Sequence, residues 1–259
     1  MNTLEALWLG IVQGLTEFFP VSSSGHLVLF QSLLGIEPEG LLFEVSVHLA
    51  TLVAILVFYR GRIGELVAGM LRLQEAALRY AGKLALATLP AVVVGLTAKD
   101  LIAGAFSAPP VVGGLLLVTG GIVWTTRSTR NTGTAAEPSW WGALLIGLAQ
   151  AFAILPGISR SGSTVAVALA VGVAPVAAAE FSFLLGIIAI GGAAVLILPD
   201  LGQAEPEQLA SFGLGASSAL LSGLLAIWLF VRMLRANRFH YFAWWAWFAG
   251  AAFLAWQLV

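Results

Sequence analysis

The feature that most constrains this sequence is a set of apolar stretches, each long enough or nearly long enough to cross a lipid bilayer. They lie at about 41–59, 84–100, 110–126, 176–198, 212–231 and 240–258. A bilayer core of ~30 Å requires about 20 apolar residues in a helix. Only 10% of the residues are charged, whereas ordinary soluble domains have about 25%. The sequence therefore predicts an all-α polytopic membrane protein with six transmembrane helices.

Composition also excludes several classes of function. The formal net charge is −1, which offers no basic surface for nucleic acid. The chain has no cysteine, so disulfides, thiol catalysis and cysteine metal sites are ruled out. The first nine residues contain Glu5 and no basic residue. We therefore expect no cleavable signal peptide, and the membrane segments themselves should direct insertion.

Two further apolar regions are each interrupted by a short polar turn. Residues 4–19 are followed by PVSSSG at 20–25, and the apolar run then continues to 34. Residues 140–155 are followed by PGISRSG at 156–162, and that run continues to 173. Irregular backbone at membrane depth is tolerated only where protein buries it or a wet cavity touches it. We interpret both regions as re-entrant helix–loop–helix hairpins.

The two hairpins align without a gap when the first is shifted by 137 positions. The shift brings Gly10 onto Gly147, Gln13 onto Gln150, Ser22 onto Ser159, Ser24 onto Ser161 and Gly25 onto Gly162. A shift of 136 brings Glu44 onto Glu180 and Ser46 onto Ser182. The alternative is chance similarity between two glycine-rich apolar segments, but polar positions align as well. We predict one membrane domain over 1–259, with repeats at about 1–130 and 138–259.

Each repeat then holds one hairpin and three spans, and an odd number of spans inverts the second repeat relative to the first. Such inverted repeats place a binding site near the midplane, where broken helices meet. The basic residues indicate the orientation, since one face receives Arg60, Arg62, Arg72, Arg79, Lys83, Arg127, Arg130, Arg232, Arg235 and Arg238. The other face receives Lys99, with Glu37, Glu39, Asp100, Asp200, Glu205 and Glu207.

The positive-inside rule makes the basic face cytoplasmic. Both termini and residues 199–210 are then outside, the first hairpin enters from outside, and the second enters from the cytoplasm. Residues 63–80 are moderately amphipathic, and we expect them to lie on the cytoplasmic surface.

Ionisable side chains at membrane depth are costly and usually functional. Here they are Glu17, His26, Glu44, His48, Arg160 and Glu180. Gln13 and Glu17 share one helix face by i,i+4 spacing, as do Glu44 and His48 with Thr51 nearby. The turn before residue 163 offers free backbone N–H groups at a helix N-terminus, which is an anion site. Arg160 adds a planar guanidinium suited to phosphate.

Each of these residues also has a purely structural interpretation. Glu17 and Glu180 are compatible with helix capping, and Glu44 with His48 is compatible with a polar pair between helices. Arg160 is compatible with a simple ion pair, and the serines at 22–24 with close packing or capping. If all are ionised, Glu17, Glu44 and Glu180 outnumber Arg160, and a bound diphosphate adds negative charge. Protonated carboxylates or a divalent cation would relieve this excess, and Mg²⁺ typically binds one or two carboxylates together with phosphate oxygens.

Two motifs carry a resemblance to a known family. QGLTEFFPVSSSGH at 13–26 and PGISRSG at 156–162 resemble the two signatures of the undecaprenyl-diphosphatase family, the bacitracin-resistance phosphatases. EFSFLL at 180–185 also resembles a segment of that family. The resemblance covers essentially the whole chain, with both signatures in order. One position departs: Gln13 stands where the family often has Glu, which weakens any mechanism with two ionised carboxylates on this helix.

The resemblance implies hydrolysis of undecaprenyl diphosphate to undecaprenyl phosphate and inorganic phosphate, with Mg²⁺ or Ca²⁺. The reaction recycles the carrier lipid for peptidoglycan synthesis at the outer side of the bacterial cytoplasmic membrane and confers bacitracin resistance. The sequence leaves open the oligomeric state, with a homodimer as one option. A secondary transporter or flippase for polyprenyl phosphate lipids is the alternative function, because inverted repeats and broken helices are transporter features.

Site roles follow from the matching positions. The resemblance implies that Glu17 is a metal ligand or base, with Gln13 as a second ligand. It makes His26 an acid/base group or the nucleophile, and Ser23 or a neighbouring serine the other candidate nucleophile. The phosphates would be held by Ser22, Ser24, Ser159, Arg160, Ser161 and Gly162. A supporting polar cluster would comprise Glu44, His48, Thr51, Glu180 and Ser182.

Overall fold

The computed structural model describes residues 3–34, 40–129, 133–197 and 206–258. Within these ranges the structure consists of α-helices joined by turns and loops, with an isolated bridge between Ala135 and Val173 and a short 3-10 helix at Phe239–Tyr241. The α-helices are α1 (Thr3–Phe18), α2 (Ser23–Leu34), α3 (Gly40–Phe58), α4 (Arg60–Leu71), α5 (Glu75–Thr97), α6 (Lys99–Phe106), α7 (Pro109–Thr129), α8 (Trp140–Phe152), α9 (Arg160–Ala170), α10 (Pro175–Ile197), α11 (Pro206–Arg235) and α12 (Phe242–Trp256).

Among the described residues, four segments are long and apolar enough to cross a membrane. They are Glu75–Thr97, Pro109–Thr129, Pro175–Gly192 and Leu209–Arg235. A fifth is formed if Phe43–Phe58 and Arg60–Leu71 are taken together, although they bend by 76° at their junction. The chain is therefore an all-α, multi-pass membrane protein.

Three predicted spans differ clearly from the helices observed, and one of them, α11, extends beyond the predicted 212–231 at both ends. α5 begins at Glu75, nine residues before the predicted start at 84. Its first turns looked too polar for a span, but Glu75 and Arg79 form an i,i+4 ion pair at 3.5 Å and Lys83 pairs with Glu137 at 2.8 Å. The predicted span 240–258 is a helix of only 15 residues, about 22 Å long, because its first residues form the 3-10 turn.

The amphipathic stretch predicted at 63–80 is divided between two helices. α4 ends at Leu71, and Leu73 has a positive φ of 52°, so the chain reverses before α5 begins. Some residues of the charge comparison lie outside the described part of the chain, namely Glu37, Glu39, Arg130, Asp200 and Glu205.

Both predicted helix breaks are present. α1 ends before Pro20, and the backbone passes through Ser22 with φ of 69° before α2 begins. α8 and α9 are separated by residues 153–159, where Gly157 has φ of 97°. Left-handed backbone is easy for glycine but strained for serine, so the first turn requires support from its surroundings.

Each hairpin packs against a long helix from the other half of the chain. A methyl group at Gly10 or Gly14 of α1 would overlap the hydroxyls of Ser218 or Ser222 on α11. On the other side, a methyl group at Gly147 of α8 would lie 2.8 Å from the Cα of Ala87 in α5. Small residues let helix backbones approach closely in membranes. The two halves are thus interlocked through their hairpins.

An aromatic cluster joins the last residue of α1, next to the turn of the first hairpin, to helices of the second half of the chain. The ring of Phe183 lies 5.6 Å from Phe18 and 4.9 Å from Phe230, and Phe230 lies 5.0 Å from Phe239. Such edge-on and tilted aromatic pairs stabilise a packed core beyond their area burial. They fix α1 against α10 and α11 close to the first turn.

Candidate active site

The two hairpin turns meet in the interior. A Cβ placed on Gly25 would lie 3.0 Å from the Cα of Gly157, and one on Gly162 would lie 3.1 Å from Pro20 Cβ. Ser161 Oγ also donates to the carbonyl of Phe19 at 3.4 Å. Both contacts are tight for a side chain, so glycine at these positions lets the two turns approach closely.

The aligned serines of the two turns make the same side-chain hydrogen bonds, although Ser22 has φ of 69° and Ser159 has φ of −76°. Ser22 Oγ accepts from the backbone N–H of Gly25 at 3.3 Å, and Ser159 Oγ accepts from Gly162 at 3.1 Å. The hydroxyls of Ser22 and Ser24 are 3.3 Å apart, as are those of Ser159 and Ser161. Both turns therefore present a serine-capped helix N-terminus, whose remaining N–H groups favour an anion.

Thr119 of α7 supports the second turn on both sides of its irregular section. Its hydroxyl donates to the carbonyl of Gly157 at 2.6 Å and accepts from the backbone N–H of Ser159 at 2.9 Å. Both partners are buried. Arg160, the next residue, is thereby held at the first position of α9.

Glu17 is the central residue of the site. Its Oε1 lies 2.6 Å from Arg160 Nη2, and its Oε2 accepts from Ser23 Oγ at 2.6 Å and from Gln13 Nε2 at 3.1 Å. His48 Nε2 is 3.9 Å from Oε2. A buried carboxylate is costly unless it is paired and hydrogen-bonded, and these contacts satisfy that condition.

A cavity of about 360 Å³ opens beside Glu17. Apolar side chains of the turn after α8 and of α10 form part of its wall, including Ile154 and Ile190. Its polar lining brings together residues from both halves of the chain: Thr16, Glu17, Ser22, Ser23, Ser24, Glu44, His48, Ser159 and Arg160. A ligand that enters it meets a guanidinium, a cluster of hydroxyls and two carboxylates.

His48 presents a ring nitrogen to this cavity. Its Nδ1 lies 2.7 Å from the carbonyl of Glu44, which can only accept, so Nδ1 carries the proton in the neutral ring. Nε2 then has a free lone pair on the side of Glu17 and the cavity. Thr51 donates to the carbonyl of His48 at 2.8 Å, and Gln31 donates to Glu44 Oε1 at 3.2 Å. These hydrogen bonds hold Glu44 and His48 in place where they line the cavity.

The structure does not bring His26 into the same group. Its Nδ1 lies 2.8 Å from the carbonyl of Ser22, and its Nε2 accepts from Trp245 Nε1 at 2.9 Å. The ring is buried and faces a second cavity of about 350 Å³, lined almost entirely by apolar side chains of α2 and α12. Sequence spacing alone placed His26 beside the serines, but the turn directs its ring to the opposite side.

Glu180 also lies apart from the other predicted residues, so its assignment to the polar cluster is corrected. Its Oε1 accepts from Arg62 Nε at 2.8 Å and from Tyr80 at 3.5 Å. It does not cap α10 through these contacts; it forms an ion pair with α4. Ser182 stays near the site, because its carbonyl accepts from Arg160 Nη1 at 3.5 Å and its hydroxyl lies 2.6 Å from that of Thr164.

The donor set was tested for its fit to a divalent cation. The described residues contain no group of three or more His, Cys, Asp or Glu side chains arranged for a metal. Gln13, however, has a buried Oε1 without a hydrogen-bond partner, and its amide orientation is set by the Nε2 contact to Glu17. Glu17 and Glu44 present carboxylates to the cavity, whereas Gln13 is buried beside Glu17 and does not line it. These oxygens fit a Mg²⁺ ion that takes its other ligands from phosphate and water.

Sequence reasoning missed three residues that support the site, Thr119, Gln31 and Trp245, and it missed the pairing of Arg62 with Glu180 apart from the site. Threonine, glutamine and tryptophan in an apolar segment carry no distinctive signal, because each occurs commonly in membrane helices. The excess of acidic residues at membrane depth pointed to missing cations, and Arg62 is the cation that pairs with Glu180.

Comparison with known proteins agrees with the two signatures. Residues 6–252 match the family model described as bacitracin resistance protein BacA. An undecaprenyl-diphosphatase of Syntrophotalea carbinolica is 41% identical over 260 residues, which cover 98% of this chain and 99% of that protein. Proteins with the same name from Desulforudis audaxviator and Rhodopirellula baltica are 42% and 41% identical, with 93% and 95% of each chain covered. The chain therefore belongs to the BacA bacitracin resistance protein family.

Proposed function

We propose that this chain hydrolyses undecaprenyl diphosphate to undecaprenyl phosphate and inorganic phosphate. The observation that carries the proposal is the continuous contact from Ser23 through Glu17 to Arg160, with 2.6 Å at each step, at the wall of a cavity. This arrangement joins a hydroxyl, a base and a phosphate-binding cation. Full-length relatives named undecaprenyl-diphosphatase support the choice of substrate.

Arg160 and the two helix N-termini bind the diphosphate in this proposal. The guanidinium is always charged and presents several N–H groups in one plane, which match phosphate oxygens. Ser159 and Ser24 add hydroxyls from the two turns. Fixed donors of this kind stabilise charge that develops on the phosphoryl oxygens during transfer.

Ser23 is the proposed nucleophile and Glu17 its base. Ser23 Oγ already donates its hydrogen to Glu17 Oε2. Oγ attacks the terminal phosphorus, the bond from that phosphorus to the bridging oxygen breaks, and undecaprenyl phosphate leaves while Glu17 takes the proton. Water then attacks the phosphoserine and its proton passes to the lone pair of His48 Nε2, while the bond from phosphorus to Ser23 Oγ breaks and Glu17 returns its proton to that oxygen. Inorganic phosphate leaves, and His48 releases its proton to solvent, which restores the starting state. His26 has both ring nitrogens engaged, so it acts in neither step.

A divalent cation, Mg²⁺ or Ca²⁺, belongs to this proposal. The residues that would hold it are Glu17, Gln13 through its unpaired Oε1, and Glu44. When bound, the ion would neutralise charge on the phosphate oxygens. The ion would not need three acidic side chains as ligands, because the phosphate groups of the substrate also supply oxygen ligands.

The proposed setting is the bacterial cytoplasmic membrane, with the active site open to the outer side and both termini outside. The arrangement has six spans and two re-entrant hairpins, and its basic face is cytoplasmic. Contacts between Arg62 and Glu180 and between Lys83 and Glu137 support it, because they bring those segments to one end of the molecule. There the enzyme would recycle the carrier lipid for peptidoglycan synthesis and confer bacitracin resistance. A homodimer stays a prediction, which cross-linking in membranes tests.

Transport of polyprenyl phosphate lipids is the competing proposal. It requires Arg160 and the cavity, but it gives no role to the Ser23 hydroxyl held at 2.6 Å from a carboxylate. The interlocked hairpins also oppose a rocking movement of one half against the other. These two observations favour the hydrolase.

Phosphate release by the purified protein from a polyprenyl diphosphate tests the proposal. Glu17→Gln removes the base with little change in shape, so turnover should fall at least 10³-fold while the protein still elutes as a folded species. Glu65→Gln is the matched control, because Glu65 is exposed and far from the cavity lining. Equal turnover in both variants would contradict the hydrolase and leave transport as the better function.

A further inference from the structure

Trp245 lies on α12, outside both hairpins, and its side chain has two different environments. Half of the residue is exposed, and its ring lines the apolar cavity between α2 and α12. Its indole N–H, by contrast, points inward and donates to His26 Nε2 at 2.9 Å. The two rings are nearly parallel, with an interplanar angle of 14°.

The contact continues from His26 into the serine turn. Ser22 has a carbonyl that accepts from the backbone N–H of His26 at 3.1 Å and lies 2.8 Å from His26 Nδ1. Ser22 is the strained residue of that turn, with φ of 69°. A serine in the left-handed region persists only where its surroundings determine it. His26, one helical turn after Ser23, holds Ser22 in this conformation through its two contacts to the Ser22 carbonyl.

The two partners of His26 fix its tautomer. The carbonyl of Ser22 can only accept, so Nδ1 must carry a hydrogen, and the indole of Trp245 can only donate, so Nε2 must hold a lone pair. If the indole N–H is removed, Nε2 is left buried without a partner, and the ring can relieve this only by turning away from Ser22 or by taking up the other tautomer. That tautomer would place two acceptors, Nδ1 and the Ser22 carbonyl, against each other.

We propose that Trp245 is a positioning residue for the reaction: through His26, it holds the Ser22 turn and thereby keeps the Ser23 hydroxyl on Glu17. The proposal rests on the proposed role of Ser23 as nucleophile. Its counterpart in the second turn is Thr119, which supports Gly157 and Ser159 from α7. Each turn thus receives support from a hydrogen-bonding side chain on a helix outside both hairpins, Trp245 on α12 or Thr119 on α7.

Trp245→Phe tests the N–H alone, because phenylalanine keeps an aromatic ring in the apolar cavity. Turnover of the polyprenyl diphosphate should show a fall in kcat of about three- to tenfold, the effect of one neutral hydrogen bond, with KM changed less than twofold. Trp247→Phe is the matched control. Trp247 also lies on α12, and the substitution removes its indole hydrogen bond to the carbonyl of Leu117 on α7 at 3.1 Å. The kcat of this variant should match that of the wild type.

His26 variants establish whether Trp245 acts through that ring. His26→Asn can keep an N–H near the Nδ1 position and its bond to Ser22, whereas His26→Gln places its amide near Nε2. His26→Asn should therefore retain more activity than His26→Gln, and adding Trp245→Phe to His26→Asn should cause no further fall. An unchanged kcat in Trp245→Phe, or an equal fall from it in both backgrounds, would overturn the proposal.

A readout without substrate separates this proposal from the proposed function. ¹⁵N spectra of histidine-labelled protein in detergent should show a single neutral tautomer for His26, protonated at Nδ1, whose Nε2 resonance shifts in Trp245→Phe because it loses its hydrogen bond, and is unchanged in Trp247→Phe. If no variant and no wild-type sample releases phosphate, the hydrolase assignment fails while this tautomer result still stands. A mixed tautomer in the wild type would sink the positioning role regardless of activity.

Discussion

The Ser23 hydroxyl donates to Glu17 Oε2 at 2.6 Å, while the other oxygen of the same carboxylate contacts Arg160 at 2.6 Å. Glu17 therefore connects the first hairpin to the second, since Ser23 and Arg160 begin the second helix of their respective hairpins. Removal of any one of the three alters the positions of the other two. The active-site predictions below follow from this connection.

Ser23→Ala should abolish phosphate release, with a loss above 10³-fold, because the covalent route requires its oxygen. Ser24→Ala is the matched variant, since Ser24 lines the same cavity but its hydroxyl contacts Ser22 at 3.3 Å and not Glu17. We expect about a tenfold loss there. Equal, small losses in the two variants would show that Ser23 only hydrogen-bonds the phosphate.

Arg160→Lys keeps the positive charge but loses the planar donor set. Turnover should fall about 10²–10³-fold, as expected for loss of an oriented contact to the transition state. Arg62→Lys makes the same chemical change in the Glu180 ion pair and should leave turnover within about twofold. Equal turnover of the two variants in the phosphate-release assay would remove Arg160 from the mechanism.

Gly186→Ala on α10 should reduce activity with little effect on folding. A methyl group at Gly186 would overlap Nη1 of Arg160, the far end of a flexible side chain, so the guanidinium should move while the helices stay packed. The same substitution at Gly192 meets no atom within 4 Å. Turnover and thermal unfolding of the two variants give the comparison, and an intact turnover in Gly186→Ala would contradict the fixed position of Arg160.

Removal of divalent cations should abolish turnover, and Mg²⁺ or Ca²⁺ should restore it. The unpaired Oε1 of Gln13 identifies a variant that makes this test specific to the site. Gln13→Glu adds a charged ligand and should lower the metal concentration needed for half-maximal activity, whereas Gln13→Leu should raise it. Full activity in excess EDTA would leave Arg160 as the main phosphate ligand.

Single cysteines in this cysteine-free chain test the orientation. Arg72→Cys and Lys99→Cys both lie at exposed positions near opposite ends of α5. The distribution of lysine and arginine predicts that an impermeant thiol reagent labels position 99 on intact cells, and position 72 only after lysis. The reverse labelling would invert the topology and place the cavity on the cytoplasmic side.

The sequence predicted the helix breaks and most of the site, because proline, glycine and serine clusters determine local backbone structure directly. Glu17, Ser23 and Arg160 were placed together because their motifs lie at the two breaks. The sequence analysis made His26 a catalytic residue and His48 a supporting one, whereas the structure brings His48 and not His26 to the cavity. That distinction depends on the positive φ of Ser22, which rotates α2 and directs His26 towards Trp245.

Long-range ion pairs were also beyond the sequence. Glu180 is separated by 118 residues from Arg62 and lies on a helix whose apolar composition suggested membrane depth. The early start of α5 had the same cause, since Lys83 is neutralised by Glu137 from a distant segment. In both cases a charge that looks costly in isolation is satisfied by a partner that only the folded chain supplies.

The packing of α1 against α11 has a consequence for how the chain is made. The serines that cover Gly10 and Gly14 are translated about 200 residues after those glycines, and Arg160 follows Glu17 by 143 residues. While the ribosome is still producing the first half, α1 has neither its packing partner nor the cation for its carboxylate. The first hairpin to enter the membrane is therefore among the last to reach its final contacts, and Glu17 enters without a counter-charge. The active site is completed only after α11 has been inserted.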